Sequence, residues 1–268
     1  ILFALFANSA IALAKGVAAF VTGSGAMLAE SIHSVADAGN QLLLILGLRQ
    51  TRKAPTEDHP LGFGKSIYFW SFLVAVILFS LGGMFSVYEG VHKLLHPEPL
   101  NHPWIAISVL LFAIVAESIS LWGCMREVNK ERYGRSLPEW FRHSRSSALI
   151  VVFGEDIAAL LGLVFALVAI LASWVSGNPL WDAIGTISIG ALLIVVAVFV
   201  AIEVKQLLIG QSVEPHVLAE MERFLRERPE VDKLYSLLTM QFGPDAMVAA
   251  KVRMAPVDSA NELVGCIN

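Results

Sequence analysis

The chain has 268 residues, of which 56% are hydrophobic and only 16% are charged. An ordinary soluble domain has about 25% charged residues and the mean hydropathy here is +0.67, so an entirely soluble fold is excluded. The net charge of -4 gives no basis for nucleic acid binding, and the two cysteines, Cys124 and Cys266, have neither metal-binding nor redox spacing. We therefore predict an integral membrane protein with a modest soluble part.

Six stretches are apolar over roughly the 20 residues that a membrane-spanning helix needs. Their predicted bounds are about 1–21, 27–48, 67–92, 103–125, 146–174 and 182–204. The first stretch is apolar from Ile1 and lacks the basic residues of a signal peptide, so we expect a truncated first span. These spans form a predicted transport domain of residues 1–205, and we expect the chain to be incomplete at Asn268 as well.

Positive charge is concentrated in alternate connections between the spans. The connections after the second and fourth spans contain Arg49, Arg52, Lys53, Lys65, Arg126, Lys130, Arg132, Arg135, Arg142 and Arg145. The other connections contain only Lys93, and Lys205 follows the sixth span. By the positive-inside rule, even-numbered spans end in the cytoplasm and both termini face it. We expect a multi-pass protein of a bacterial inner membrane or an organelle membrane.

Residues 206–268 have the composition of a soluble domain. The stretch "EPHVLAEMERFLRERPEV" has apolar residues at helical spacing, and "DKLYSLLTMQF" and "AMVAAKVRM" are typical of strands joined by a "GPD" turn. Ser259 and Glu262 form a capping box that predicts another helix. The order helix, strand, strand, helix predicts a small cytoplasmic α+β domain of ferredoxin-like kind, which we expect to be incomplete.

Several polar side chains lie inside the predicted spans, where a carboxylate costs roughly 2.5–3.5 kcal/mol to insert. His33 and Asp37 are four residues apart and share a helix face, with Asn40 one turn further on. Glu155 and Asp156 are neighbours on the fifth span and diverge by about 100°, but they flank one edge and both can turn toward the second span. If the second and fifth spans meet, these nitrogen and oxygen donors form a set that zinc accepts, with other divalent transition metals as alternatives.

Other polar groups in the spans have simpler interpretations. A membrane His or Asp can serve only to bond a neighbouring helix. We expect Glu30 to be an interfacial or capping group and Glu117 to have a proton or structural role. Lys15 has two open interpretations, pairing with a carboxylate or reaching out to the interface.

The sequence resembles the cation diffusion facilitator family of zinc transporters over nearly its whole length. The resemblance is carried by "GSGAMLAESIHSVADAGNQLLLILGL", "DHPLGFGKSIYFWSF", "GEDIAALLGL" and "LLIGQS", in this order and spacing. The paired acids of the fifth span make it most similar to the branch that contains a mitochondrial zinc exporter. The resemblance implies six spans, a cytoplasmic α+β domain, a homodimer, and exchange of a divalent metal for protons by alternating access.

The resemblance also implies a metal site with two ligands on the second span and two on the fifth. His33, Asp37 and Asp156 match three positions, but the fourth falls on Val152, which cannot bind a metal. We expect Glu155 to replace it, or else three protein ligands completed by water or Asn40. A carboxylate in place of a nitrogen donor makes manganese, iron or cobalt harder to exclude.

The family's two further metal sites lack the usual ligands here. In the connection after the second span, Phe63 stands where a His is common, and only Asp58 and His59 are nearby. In the soluble part, the only His is His216. We therefore expect no metal in that connection and no rich cytoplasmic metal cluster.

The resemblance further implies that the third and sixth spans pack as a dimer scaffold while the first, second, fourth and fifth rock. Gly82, Gly83, Gly185 and Gly190 permit close helix approach. Three rival interpretations remain: a membrane serine protease suggested by "TGSG", a channel or metal sensor without proton coupling, and a regulatory member that no longer transports. A serine protease would need a His near Ser24, and the sequence has none there. The sequence also has no HExxH motif of a metalloprotease. We therefore predict a secondary transporter and not an enzyme.

Overall fold

The computed structural model describes residues 2–256, with side chains from residue 9 onward. The helices are α1 (Leu2–Thr22), α2 (Gly25–Thr51), α3 (Ser66–Ile77), α4 (Phe85–Leu95), α5 (Pro103–Glu131), α6 (Leu137–His143), α7 (Ser147–Ser176), α8 (Leu180–Ile209) and α9 (Pro215–Arg226). A π-helical turn, Leu78–Met84, joins α3 to α4, so the two make one continuous helix. The strands are β1 (Val231–Phe242) and β2 (Asp245–Met254).

Long helices occur at all six places where spans were predicted. Four of them, Ser66–Leu95, Pro103–Glu131, Ser147–Ser176 and Leu180–Ile209, are long and apolar enough to cross a membrane. In α1 the described apolar stretch is shorter, Ser9–Thr22, and α2 carries polar residues along its length. Four spans are therefore supported by length and composition, and the six-span topology stays a prediction.

The outer surface of the bundle is rich in large apolar side chains. On α1, Phe20 is 92% exposed, and α5 presents Phe112, Ile119 and Trp122 in the same way. Exposed apolar surface of this extent is unusual for a soluble monomer and indicates contact with lipid.

Small residues fill the interior of the bundle and bring the helix backbones close together. Ala18 on α1, Ala29 on α2, Ala113 on α5 and Ala166 on α7 are all buried in one core cluster. In a membrane, where lipid tails are as apolar as the core, this close van der Waals packing holds helices together. Among the pairs in contact are α1 with α2, α5 with α7, α7 with α8, and α2 with α7.

The continuous helix of α3 and α4 packs along α8, and the role of these two helices as a dimer scaffold stays a prediction. The predicted glycines make this packing possible: a Cβ on Gly190 would lie 2.7 Å from the Val87 nitrogen and 2.8 Å from the Gly83 oxygen. A Cβ on Gly185 would likewise collide with Ala169 of α7, so this glycine allows α7 and α8 to approach closely.

The helix and both strands that were predicted after residue 206 are present. β1 and β2 form a two-stranded antiparallel sheet, and α9 packs on β1. The strands turn at Gly243, which has a positive φ of 67° and donates its N–H to the Tyr68 hydroxyl at 2.9 Å. The turn of this β-hairpin thereby contacts the start of α3. The capping box of Ser259 and Glu262, and Cys266, lie outside the described residues.

Candidate metal site

The second and fifth predicted spans do meet, because α2 packs against α7. Ser24 caps the start of α2 by accepting the Met27 N–H at 3.2 Å. Gly177, in the left-handed conformation, ends α7. His33 and Asn40 of α2 and Glu155 and Asp156 of α7 are all buried in the bundle.

His33 is completely buried and its ring is not hydrogen bonded. Its Nδ1 lies 3.6 Å from Asp37 Oδ1, one turn further along α2. Both ring nitrogens and Asp37 Oδ1 are buried without a hydrogen-bond partner. Opposite the ring is the π-helical turn, where a Cβ on Gly82 would lie 3.8 Å from His33 Nδ1. Buried, unpartnered donor atoms of this kind are available to a ligand.

Glu155 turns toward α2. Its Oε1 accepts a hydrogen bond from Asn40 Nδ2 at 2.6 Å, and both residues are buried. Its carboxyl group also interacts electrostatically with that of Asp37. The amide of Asn40 therefore orients Glu155 beside the His33–Asp37 pair.

Asp156 turns toward α5 instead. Its Oδ1 accepts a hydrogen bond from Ser120 at 3.3 Å, the Cys124 thiol lies next to it, and its Oδ2 has no partner. Both acids were expected to be able to turn toward α2, but only Glu155 does so, because Ser120 of α5 provides the hydrogen-bond partner of Asp156. Nowhere in the described part of the chain do three or more His, Cys, Asp or Glu side chains assemble as a metal site. The set of His33, Asp37, Glu155 and Asp156 stays a prediction.

Val152, at the position of the missing fourth ligand, belongs to the apolar packing. It contacts one core cluster with Leu44 and Val200 and another with Trp140 and Phe153. The side chain of Val152 is accordingly used for helix packing.

Glu30 corrects one expectation. It is neither interfacial nor a cap, since its side chain is completely buried and its Oε2 lies 3.1 Å from Lys15 Nζ. Lys15 also donates to the Ser34 hydroxyl at 2.7 Å. Of the two interpretations of Lys15, the structure therefore selects pairing with a carboxylate.

Glu117 on α5 links these groups electrostatically. It interacts with Lys15 and Glu30 on one side and with Glu155 and Asp156 on the other. The sequence analysis gave Glu117 only a general role, considered Cys124 only for its spacing from Cys266, and did not identify Ser120. The signal was available, since all three lie on one face of α5 at spacings of three and four residues.

A cavity of about 860 Å³ lies where α2 ends and where α3 and α7 begin. Residues between 213 and 246 close its other side. Arg52, Arg145 and Glu214 contribute to its wall. His216 is also there, with Nδ1 3.4 Å from Glu214 Oε2, but this carboxylate is paired with Arg135 at 2.6 Å. Because Glu214 already forms an ion pair with Arg135, its carboxylate is not a free partner for His216.

Acids and an unbonded histidine in the interior of a membrane-type helical bundle are typical of ion pathways. The model of the cation efflux transmembrane domain matches residues 1–209, and the chain belongs to the cation efflux family. This confirms the family predicted from the sequence, and with it the prediction of a transporter class instead of an enzyme.

Individual relatives agree with this assignment. The chain is 34% identical to the mitochondrial proton-coupled zinc antiporter SLC30A9 of Xenopus laevis, over 83% of this chain and 40% of the relative. It is 31% identical to the human protein of that name, over 91% of this chain and 43% of the human protein. It is 32% identical to metal tolerance protein C4 of Arabidopsis thaliana, over 90% of this chain and 53% of the plant protein. The chain thus spans about half the length of these relatives.

Proposed function

We propose that the chain is the membrane part of a transporter that exports a divalent metal ion, zinc in the first place, in exchange for protons. One observation carries this proposal. The carboxyl groups of Glu30, Glu155 and Asp156 are buried, and those of Asp37 and Glu117 are partly buried and interact with them electrostatically, with the buried ammonium of Lys15 among them. In a low-dielectric interior these groups cannot all be ionised unless protons or a metal dication compensate them.

The proposed ligands for the transported ion are His33, Asp37, Glu155 and Asp156, with Asn40 in a supporting position. The unpartnered atoms His33 Nδ1 and Nε2, Asp37 Oδ1 and Asp156 Oδ2 support this assignment. Zinc binds imidazole nitrogen and carboxylate oxygen in tetrahedral sites. The names of the relatives in frog and human, which include zinc and proton coupling, favour zinc over manganese, iron or cobalt.

Exchange follows from the protonation that each state requires. A metal binds neutral imidazole and ionised carboxylates, so its arrival releases protons and returning protons displace it. In the proposed cycle, the continuous helix of α3 and α4 moves as a unit with α8, while α1, α2, α5 and α7 change their tilt. The packing of α4 on α8 through Gly83 and Gly190 supports this division.

The proposed arrangement in the membrane has six spans, with both termini on the cytoplasmic side and two copies forming a homodimer. The positive charge of the connections after α2 and α5 supports this orientation. Residues 206–268 form the proposed cytoplasmic domain, and a bacterial inner membrane or an organelle membrane is the proposed location.

A second candidate is a member of the family that binds metal without transporting it. Val152 favours this candidate, because it is packed among apolar side chains where a ligand is expected. The two candidates differ in one measurement: both bind zinc, and only the transporter moves it across a membrane.

The test is zinc uptake into proteoliposomes with an imposed pH gradient. We expect uptake that depends on the gradient, and its loss in Asp37→Asn and Asp156→Asn while the secondary structure is retained. Asp58→Asn, the same change in an exposed connection, is the matched control and should transport normally. Binding without uptake would select the second candidate, and uptake that is insensitive to pH would indicate a channel.

A further inference from the structure

Two histidines stand together at the end of α4, far along the chain from the proposed transport ligands. His92 and His96 are four residues apart, and their ring centroids are separated by 5.0 Å with an angle of 34° between the planes. Both side chains are exposed. We call His92 and His96 the α4 histidine pair.

The separation of the rings is compatible with a metal ion shared by the two imidazoles. With Zn–N bonds of about 2.1 Å and a tetrahedral angle between them, the centroids of two ligating imidazoles lie about 5 Å apart. Histidines at i and i+4 on one helix are a recurrent zinc-binding arrangement, because this spacing puts both rings on one face. The α4 histidine pair has both the spacing and the separation.

The local backbone holds the pair in this position. The His96 N–H donates to the His92 oxygen at 2.9 Å, so the helical spacing extends to the last residue before Pro97. Pro97 has no N–H with which to continue the helix. The ring of Tyr88, one turn earlier, stacks on His92 at 6.4 Å and an angle of 24°.

The electrostatic surroundings tolerate a dication. The pair lies at a helix C-terminus, where the backbone dipole favours positive charge. The neighbouring cation, Lys93, donates to the Gly23 oxygen at 2.5 Å and has Glu98 Oε2 at 3.7 Å. Its charge is therefore partly offset and directed at the α1–α2 connection.

The α4 histidine pair lies at the opposite end of its span from the C-terminal residues, because Tyr68 near the start of α3 accepts the Gly243 N–H. The helix Ser66–Leu95 has 30 residues, longer than the ~20 that a bilayer requires. About ten of its residues therefore lie beyond the hydrocarbon region, and His92 is in its last turn.

We propose that His92 and His96 form a separate binding site for a transition-metal dication such as Zn²⁺, Ni²⁺ or Cu²⁺, with water completing the coordination. Imidazole suits these ions, whereas Mg²⁺ and Ca²⁺ prefer oxygen ligands and are not expected to bind. The site is independent of the proposed transport ligands and binds metal on the face of the membrane opposite the C-terminal residues.

The experiment is zinc titration of the full chain in nanodiscs, without a polyhistidine tag and in an Asp37→Asn background that disables the proposed transport site. We expect either His92→Ala or His96→Ala to weaken this binding at least tenfold, and His102→Ala, a nearby exposed control, to leave it unchanged. Equal zinc stoichiometry and affinity in all variants would overturn the proposal. Because zinc uptake is measured separately, failure here is distinct from failure of the proposed transport function.

A second measurement needs no variant. Diethyl pyrocarbonate modifies free imidazole nitrogens, and mass spectrometry locates the modified residues. Zinc, but not magnesium, should protect His92 and His96 in the unsubstituted protein while His102 remains reactive. Full modification of both histidines in the presence of zinc would contradict the site.

Discussion

Lys15 of α1 and Glu30 of α2 form an ion pair of 3.1 Å between two side chains that are completely buried. Ser34 accepts a second hydrogen bond from the same ammonium group at 2.7 Å. The pair joins the first two helices in the interior of the bundle, at the edge of the acidic group that includes Glu117. Its position makes it a structural link between α1 and the helix that carries His33 and Asp37.

Removing one partner of this pair should be costly. A buried charge left without its counter-ion typically costs about 3–5 kcal/mol, whereas replacing both partners by apolar residues is often close to neutral. We expect Lys15→Met to lower the thermal unfolding midpoint in detergent strongly, and Lys15→Met combined with Glu30→Leu to recover most of the loss. A double variant as unstable as the sum of both single variants would show that the ion pair contributes no coupling.

Asn40 offers a separate test of the Glu155 assignment. Glu155→Gln keeps an oxygen that can accept from Asn40 but removes the negative charge, so we expect zinc affinity to fall while the fold is retained. Asn40→Ala removes only the orienting hydrogen bond, and outer-shell losses of this kind typically reduce metal affinity about 10–100-fold. Zinc binding by isothermal titration checks both, with Asn101→Ala, in an exposed connection, as control.

If Glu155 has only a structural role, Glu155→Gln will bind zinc as tightly as the unsubstituted chain. The ligand set would then be reduced to His33, Asp37 and Asp156. Water would then supply the fourth ligand. This outcome would not affect the fold or the family assignment.

Periodicity and composition were sufficient to place the helices and the β-hairpin. They did not show where each polar side chain turns, because that depends on which neighbouring helix offers a partner. Asn40 draws Glu155 toward α2, whereas Ser120 draws Asp156 toward α5, and neither contact is visible in the spacing of the acids. Glu30 was misplaced for the same reason, since its partner Lys15 lies on another helix.

Asp182 at the start of α8 connects two helices through one carboxylate. It accepts the Ser24 hydroxyl at 2.5 Å and the Gly25 N–H at 2.8 Å, at the beginning of α2. Asp182→Ala leaves both buried donors without an acceptor, which costs about 1–3 kcal/mol for each unsatisfied group. We expect a lower unfolding midpoint for Asp182→Ala, a smaller loss for Asp182→Asn, and no change for Asp245→Ala, which is exposed. Equal midpoints for Asp182→Ala and Asp245→Ala would contradict the connection.

Gly190 tests whether α4 and α8 must approach as closely as the structure has them. A Cβ at this position would meet backbone atoms of Val87 and Gly83 at 2.7 and 2.8 Å, so Gly190→Ala must force the helices apart. Overpacking of this kind typically costs about 1–3 kcal/mol. The matched control is Gly123→Ala on α5, where a Cβ would have no atom within 4 Å. We expect Gly190→Ala to lower both the unfolding midpoint and zinc uptake, and Gly123→Ala to leave both unchanged. Normal stability and uptake in Gly190→Ala would mean that the two helices separate easily and do not move as one unit.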